Sequence, residues 1–339
     1  MGMTHGRRPV LTIQGRRPAL TTPGRRPATH QDTRPDTRPN THQNTHQDRT
    51  ASIMNILSIQ SWVSYGHVGN ASAVFPLQRL GCDVWAINTV QFSNHTGYGH
   101  WTGHVHTGEQ VRDLVDGIAA RGVLDRCDAV LSGYMGDAAI GEAILHAAAR
   151  VRAANPNALY CCDPVIGDTD TGVYVRPGIE DFLRAQALAQ ADIATPNRFE
   201  VERLTGLDCA TLDGAKAAVT ALAATMRAEG TRCVLMTSLE TGSTPPGHLD
   251  MLAAEGGAFH LLRTPRLPVS VNGAGDAMAA LFLYHRLRTG DAAAALEAAG
   301  SSIHGLLRRT AEMGSREIQL IAAQEEFVTP TRMFRAWAC

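Results

Sequence analysis

The sequence predicts an α/β fold of three layers, in which a mostly parallel central sheet carries helices on both faces. From residue 55 onward short apolar segments alternate with longer helical ones, and a helix between two strands returns the chain so that the strands pair in parallel. The strands are continuously apolar, as expected where both faces of a sheet are covered. Polar, glycine-containing segments follow the strands, which predicts ligand binding at the carboxyl edge of the sheet.

The predicted elements follow in order along the chain. Apolar runs predict strands at Asn55–Gln60, Asp83–Asn88, Ala129–Ser132, Leu159–Cys162, Ile193–Thr195 and Cys233–Thr237. Apolar residues at helical spacing predict helices at Gly69–Leu80, Glu109–Ala120, Ala138–Ala154, Ala215–Glu229, Ala274–Leu287 and Asp291–Leu307. Leu249–Leu252 and Ala258–Arg263 predict a hairpin around two glycines. The loops expected at the carboxyl edge are Ser61–Gly69, Thr89–Gly103, Asp163–Gly172, Pro196–Glu200 and Asn272–Asp276.

Residues 1–53 differ from the rest in composition. They contain three GRRP repeats, 9 Arg and 3 Asp, a net charge of +6, so the remainder carries −1 − 6 = −7. Frequent proline and few apolar side chains predict a disordered basic tail, followed by a single domain at 54–339. An alternative is translated upstream sequence ahead of a start at Met54. The acidic body argues against a nucleic-acid-binding core.

Cysteine usage and hydropathy indicate in which cellular compartment the protein is expected. The 7 Cys are dispersed without a CxxC pair, which favours buried thiols in a reducing cytoplasm. No apolar run reaches the roughly 18 residues of a membrane span, and no secretory signal is recognisable. Four histidines between His95 and His106 favour a polar loop over a zinc site, because Glu109 is the only acid at ligand spacing.

The strongest motif is the pentapeptide Asn272–Asp276 at the start of a predicted helix. The backbone N–H groups of Gly273, Ala274 and Gly275, with the helix N-terminus, predict an anion hole suited to phosphate. Asp276 beside a phosphate site is suited to accept a hydroxyl proton as a general base. The alternative is an Asp that only caps the helix.

Two further acids follow predicted strands. Asp163 precedes Pro164, and Glu200 lies in a second helix start, Pro196-Asn197-x-x-Glu200. Both predict a magnesium–phosphate site in which the carboxylates act through water. Turn formation by Asp163 and helix capping by Asn197 and Glu200 are the alternatives.

These residues carry a family resemblance. Asn272–Asp276 with Asn197-x-x-Glu200 resembles the ribokinase-like superfamily of small-molecule kinases. Further tracts resemble the pyridoxal kinases and extend the similarity over about residues 54–330: Ile59–Ser61, Tyr65–Asn70, Asn88–Tyr98, Leu131–Tyr134 and Cys162–Val165.

The resemblance implies a role for each matching residue. Ser61 and Thr96 would contact the pyridoxal ring substituents, and the pocket walls would be Gly97, Tyr98 and Tyr134. Residues serving the ATP phosphates and Mg²⁺ would be Asp163, Thr195 and Glu200. The nucleotide would be lined by Thr237, Ser238, Arg263, Thr264, Pro265 and Arg266. Asp276 would be the base for the 5′-hydroxyl. Thr237 stands where some members have a lysine, so no lysine charge is available there.

The function that this resemblance implies is an ATP:pyridoxal 5′-phosphotransferase of vitamin B6 salvage. Its partners would be pyridoxal, ATP and Mg²⁺, without nucleic acid or membrane, in a cytoplasmic homodimer. One alternative is a hydroxymethylpyrimidine kinase, which shares the anion hole but not the Asn88–Tyr98 tract. Another is a non-catalytic vitamer-binding protein, against which the presence of Asp276 and the anion-hole residues argues.

Overall fold

One ten-stranded sheet runs through residues 53–339, the part of the chain that the computed structural model describes. Its order is β12-β11-β10-β9-β8-β5-β4-β1-β2-β3, and a separate ribbon pairs β6 with β7. The strands are β1 (Asn55–Tyr65), β2 (Asp83–Asn94), β3 (Gly103–Val105), β4 (Ala129–Ser132), β5 (Leu159–Cys162), β6 (Gly167–Asp168), β7 (Gly172–Val173), β8 (Ile193–Ala194), β9 (Cys233–Leu239), β10 (His248–Glu255), β11 (Ala258–Pro265) and β12 (Trp337–Ala338). The tail predicted at residues 1–53 lies outside the described residues, apart from Ile53.

The strand directions confirm the predicted mostly parallel sheet. The six central strands, β2, β1, β4, β5, β8 and β9, are parallel to their neighbours. Antiparallel strands extend both sides, with β3 beside β2 and β10 to β12 beside β9. The ends of β9 and β11 therefore meet at the same carboxyl edge as the ends of the parallel strands.

Helices cover both faces of the sheet. They are α1 (Asn70–Arg79), α2 (Gly108–Ala119), α3 (Ala138–Ala154), α4 (Ile179–Phe182), α5 (Leu188–Gln190), α6 (Arg198–Thr205), α7 (Leu212–Thr225), α8 (Ala274–Thr289), α9 (Ala292–Glu312) and α10 (Glu325–Val328). A π-helical turn, Leu183–Ala187, joins α4 to α5. Among the described residues no helix has both the length and the apolar composition to cross a membrane.

Two hydrophobic cores lie on opposite faces of the sheet. Leu57 and Ile59 of β1 point into a core formed with α2, α3 and α7, whereas Ile56 points into the core with α1, α8 and α9. Alternate residues of a strand face opposite sides, so a strand buried on both faces carries apolar residues on both of them. This confirms the predicted three-layer arrangement.

The prediction was wrong where strands continue past the edge of the core. Ser61–Tyr65 and Thr89–Asn94 were predicted as loops, but they prolong β1 and β2, which stay paired up to Tyr65 and Asn94. β3 then pairs with the end of β2. Val90 to Ser93 alternate apolar and polar side chains, a two-residue period typical of strands. The segments that follow Gln60 and Asn88 therefore belong to the sheet and are not loops.

Candidate active site

The carboxyl edge of the sheet encloses a cavity of about 130 Å³. Five of the residues predicted for catalysis or ring binding line it: Ser61, Thr96, Tyr134, Gly273 and Asp276. Its other lining residues are Val63, Val68, Val90, Phe92, His95, Val165, Tyr174 and Asn272. Polar groups and a carboxylate thus converge on a largely apolar pocket, which is the usual composition of a small-molecule site.

Gly273 forms the tight turn before α8. Its φ of 87° lies in the left-handed region, and a Cβ there would lie 1.8 Å from the carbonyl oxygen of His67. The carbonyl of Gly273 accepts a hydrogen bond from the Ser72 hydroxyl at 2.7 Å. α8 begins at Ala274, so the N–H groups of Ala274 and Gly275 lie in its first turn and have no acceptor within the helix. The helix dipole adds positive charge at the same place. This geometry fits the predicted anion hole.

Asp276 is the third residue of α8 and is not its cap. The N-cap is Gly273, and no side chain caps the helix. Burial raises the pKa of Asp276 to about 6, against the opposing effect of hydrogen bonds from the backbone N–H groups of Gly69 and Asp276. A carboxylate with a pKa near 6 is ionised at neutral pH yet more basic than an ordinary aspartate, as a general base requires.

Asp163 and Thr195 lie together at the ends of β5 and β8. The Thr195 hydroxyl donates to Asp163 Oδ1 at 2.9 Å, and Asp163 is only 7% exposed. Burial, and then the charge of Asp276, raise the pKa of Asp163. Three carboxylates, those of Asp163, Glu200 and Asp276, therefore lie near one another, and no basic side chain of residues 53–339 pairs with them, an arrangement that a divalent cation would neutralise.

Glu200 also takes part in capping α6, the alternative to a metal-binding role. Its Oε2 accepts from the N–H of Asn197 at 2.8 Å, while the Asn197 side chain accepts from the N–H of Glu200, which forms a capping box at the start of α6. Its Oε1 accepts from the N–H of Ile166 at 2.9 Å. Because backbone donors occupy both oxygens, Glu200 is suited to contact a metal through water. In residues 53–339 no three His, Cys, Asp or Glu side chains cluster closely enough to hold a metal directly.

The predicted nucleotide residues flank the ends of β9 and β11. Thr237 is half-buried and its N–H donates to the Pro196 carbonyl, while the next residue, Ser238, adopts a φ of 53°. Thr264 is buried and Pro265 partly buried, and Arg266 is exposed and paired with Glu240. Arg263 is bound by the buried carboxylate of Asp250, at 2.6 Å from Nε, so its charge is already compensated. These six residues line the same edge, and their nucleotide contacts stay a prediction.

Apolar residues and Tyr134 form one wall of the cavity. Val63, Val68, Val90 and Phe92 form a small hydrophobic cluster of their own, against which Tyr134 packs. The Thr89 hydroxyl fixes the backbone of Tyr134 by donating to its carbonyl at 2.7 Å. Ser61 is 6% exposed.

Thr96, Gly97 and Tyr98 form a 3₁₀ turn at the mouth of the cavity. Thr96 lines the cavity, but Gly97 and Tyr98, which were predicted as walls, do not. The Tyr98 hydroxyl instead donates to Glu317 Oε1 at 2.5 Å. Their contact with a ligand stays a prediction.

Sequence reasoning missed His95, Tyr174 and Asn272, which also line the cavity. His95 Nδ1 accepts from the N–H of Gly97 at 3.1 Å, and burial lowers its pKa, so the ring is neutral at pH 7. Tyr174 follows the ribbon β6–β7, and burial, with four neighbouring carboxylates, raises the pKa of its hydroxyl. His95 and Asn272 adjoin predicted site residues, a signal that was available, whereas Tyr174 stands in a segment without a motif.

Comparison with known proteins assigns the family. A family model described as phosphomethylpyrimidine kinase matches residues 89–320. A protein of Granulibacter bethesdensis named pyridoxal kinase PdxY is 66% identical over 286 residues, which are 84% of this chain and 100% of that protein. The chain belongs to the pyridoxal kinase family. A second pyridoxal kinase PdxY, from Deinococcus radiodurans, is 54% identical over 83% of this chain and 95% of its own length.

Solved pyridoxal kinases share the fold. The structure of the Leishmania donovani pyridoxal kinase in complex with ADP and pyridoxine has a TM-score of 0.78, with 29% identity over 84% of this chain and 99% of that chain. The same enzyme with ADP and pyridoxamine gives a TM-score of 0.77 at 28% identity, over the same shares of both chains. The three-layer architecture described above is therefore that of a pyridoxal kinase.

Proposed function

We propose that this kinase transfers the γ-phosphoryl group of ATP to the 5′-hydroxyl of pyridoxal. The observation that carries the proposal is the composition of one cavity. Asp276 and the Gly273 turn supply a base and an anion hole at one end, while Ser61, Thr96 and Tyr134 line the rest. A planar heteroaromatic ring suits the apolar and aromatic walls, and its polar substituents suit the two hydroxyls.

The residues divide the reaction between them. Asp276 accepts the proton of the 5′-hydroxyl as its oxygen attacks the γ-phosphorus, and the bond from that phosphorus to the bridging oxygen of ADP breaks. The N–H groups at the start of α8 hold the negative charge that spreads over the transferring group. ADP leaves with the electron pair of the broken bond.

Mg²⁺ would neutralise the charge of the ATP phosphates. Asp163, and Glu200 through water, would hold it, and this assignment is supported because no basic side chain in the described part of the chain pairs with these carboxylates. The only lysine of the chain, Lys216, lies over the Phe259 ring at 5.7 Å, at the start of β11 and thus at the opposite edge of the sheet. The phosphates would therefore depend on Mg²⁺ and the anion hole.

A hydroxymethylpyrimidine is the second candidate substrate. The observation that favours it is the match of residues 89–320 to the phosphomethylpyrimidine kinase model. The same base and anion hole would serve its hydroxymethyl group.

A coupled assay of ADP release separates these substrates. We expect Mg²⁺- and pyridoxal-dependent ADP release, with mass spectrometry showing pyridoxal 5′-phosphate, and little release with hydroxymethylpyrimidine. Pyridoxine serves as a second ring with the same 5′-hydroxyl. Higher kcat/KM for hydroxymethylpyrimidine would assign the second function, and tight pyridoxal binding without turnover would assign a vitamer-binding protein.

We also propose a cytoplasmic homodimer. All 7 cysteines are unpaired and 6 are buried, which suits a reducing compartment. The dimer follows from the family resemblance, and light scattering of the purified protein measures its mass.

A further inference from the structure

Glu317 lies between α9 and α10 and bonds two segments that are far away in sequence. Its Oε1 accepts from the Tyr98 hydroxyl at 2.5 Å, and its Oε2 accepts from the backbone N–H of His67 at 3.2 Å. Its backbone pairs as an isolated parallel bridge with Asn272. One residue thus connects the turn at 96–98, the turn after β1 and the segment that leads into the proposed anion hole.

Each connected segment carries part of the cavity. The turn of Tyr98 contains Thr96, and Asn272 lines the cavity directly. The carbonyl of His67 abuts Gly273, where a Cβ would lie 1.8 Å from its oxygen. The ring side and the anion hole are therefore connected through Glu317.

The surroundings of Glu317 fix its position. The Ser315 hydroxyl oxygen accepts from the N–H of Glu317 at 3.1 Å, and the Gln319 side chain donates to its carbonyl at 3.0 Å. Gly66 makes room for the carboxylate, because a Cβ on Gly66, whose φ is 90°, would lie 2.3 Å from Oε2. The backbone holding Glu317 is thus ordered by contacts outside the cavity.

Tyr98 lies at the surface and donates its hydroxyl proton to Glu317. The hydrogen bond to Glu317 raises the pKa of Tyr98 to about 12, so its hydroxyl remains a donor at neutral pH. Tyr98 is 36% exposed, and its ring contacts are Tyr65 and the Arg316 guanidinium at the surface. The hydrophobic cores do not include this turn; within it the N–H of Gly97 donates to His95 Nδ1, and the bond to Glu317 ties it to the segment after α9.

We propose that Glu317 is a positioning residue that holds the Thr96 turn over the pyridoxal ring and in register with the anion hole. The proposal rests on the proposed function, because it assigns the ring of pyridoxal to this side of the cavity. Glu317 acts through Tyr98 and does not line the cavity.

The test compares KM values for pyridoxal and ATP in E317A, E317Q, Y98F and the double variant E317A/Y98F. We expect E317A to raise KM for pyridoxal about tenfold, with KM for ATP within twofold of wild type. E317Q should raise KM for pyridoxal much less than E317A, because its amide can accept from the N–H of His67 and donate to the Tyr98 oxygen. The double variant should be no worse than E317A alone, because residues that share one contact are not additive.

Glu325 provides a matched control in the same C-terminal segment. It pairs with Arg79 at 2.8 Å on the surface, so E325A should leave both KM values unchanged. Equal rises in both KM values for E317A, or no change in either, would overturn the proposal. Because wild type is assayed in parallel, failure of the wild type to phosphorylate pyridoxal would count against the proposed function, whereas an active wild type with unaltered variants would count against Glu317 alone. If E317A does not fold, Y98F and E317Q decide.

Discussion

The residues proposed to serve the ATP phosphates, the phosphate side of the site, and those proposed to recognise the pyridoxal ring, its ring side, are held in place differently. On the phosphate side Asp163 and Glu200 are 7% and 4% exposed. Asp163 accepts a hydrogen bond from Thr195, and Glu200 accepts one from the N–H of Ile166. On the ring side Thr96 and Tyr98 lie in an exposed three-residue turn. The groups proposed for chemistry are thus held by helix caps and strand ends, whereas the Thr96 turn is joined to the segment after α9 by one side-chain contact, that of Tyr98 with Glu317.

This difference predicts different consequences of substitution. A buried carboxylate or a glycine that abuts backbone cannot move without disturbing its neighbours, so changes on the phosphate side should reduce kcat. A hydroxyl on the ring side contributes one neutral hydrogen bond, so its loss should change only the KM of the ring substrate.

The largest effect is expected for D276N. Asn is nearly isosteric with Asp but cannot accept the hydroxyl proton, so kcat should fall by roughly 10²–10⁴. ATP binding should persist or tighten slightly, because a negative charge near the phosphates is removed. Steady-state kinetics and nucleotide titration measure both, and the melting temperature should change little. Turnover within a few-fold of wild type would exclude Asp276 as the base.

G273A and G275A form a matched pair in the anion hole. A Cβ on Gly273 would meet the His67 carbonyl at 1.8 Å in a left-handed conformation, whereas a Cβ on Gly275 meets nothing within 4 Å. Left-handed backbone costs a residue with a Cβ about 1–2 kcal/mol, and a misplaced anion-hole donor lowers kcat by about 10²–10³. We therefore expect G273A to lose both stability and kcat, and G275A to keep its melting temperature. Similar melting curves for the two variants would contradict the packing of this turn.

The pH dependence should follow Asp276. Its pKa is raised to about 6, so as the pH falls through 6 the carboxyl becomes protonated and can no longer accept a proton. On the acidic limb of the pH profile, we expect kcat/KM for pyridoxal to be constant above pH 6 and to fall about tenfold per pH unit below it. The residual activity of D276N should lack this limb, and an unchanged limb in D276N would assign it to another group, of which Asp163 is the first candidate because its pKa is also raised.

The smallest effects are expected on the ring side. S61A and T96A should each raise KM for pyridoxal by the equivalent of about 0.5–1.5 kcal/mol, with KM for ATP near wild type. T237A at the end of β9 is the matched nucleotide-side change and should raise KM for ATP instead. Parallel rises in both KM values for any of the three variants would show that the two sides of the cavity are not separable.

Local signals in the sequence predicted most of the architecture and the helix starts that carry Glu200 and Asp276. The strand starts at Asn55, Asp83 and Cys233 are as predicted, and α3 has both predicted ends. Asn197 and Glu200 form the capping box that their three-residue spacing predicts. Helix caps, glycine turns and apolar periodicity are encoded by residues a few positions apart, so they can be recognised without the fold.

Only the tertiary structure decided which distant residues meet. Tyr98 was predicted as a pocket wall, but its hydroxyl reaches Glu317, 219 positions along the chain. Arg263 was predicted to serve the nucleotide, and it is bound by Asp250 on the neighbouring strand. The extension of β1 and β2 beyond Gln60 and Asn88 depends on their mutual pairing and on β3. Such contacts are set by strand register and chain crossover, so the identity of each partner follows from the packing of the whole sheet and not from the sequence around either residue.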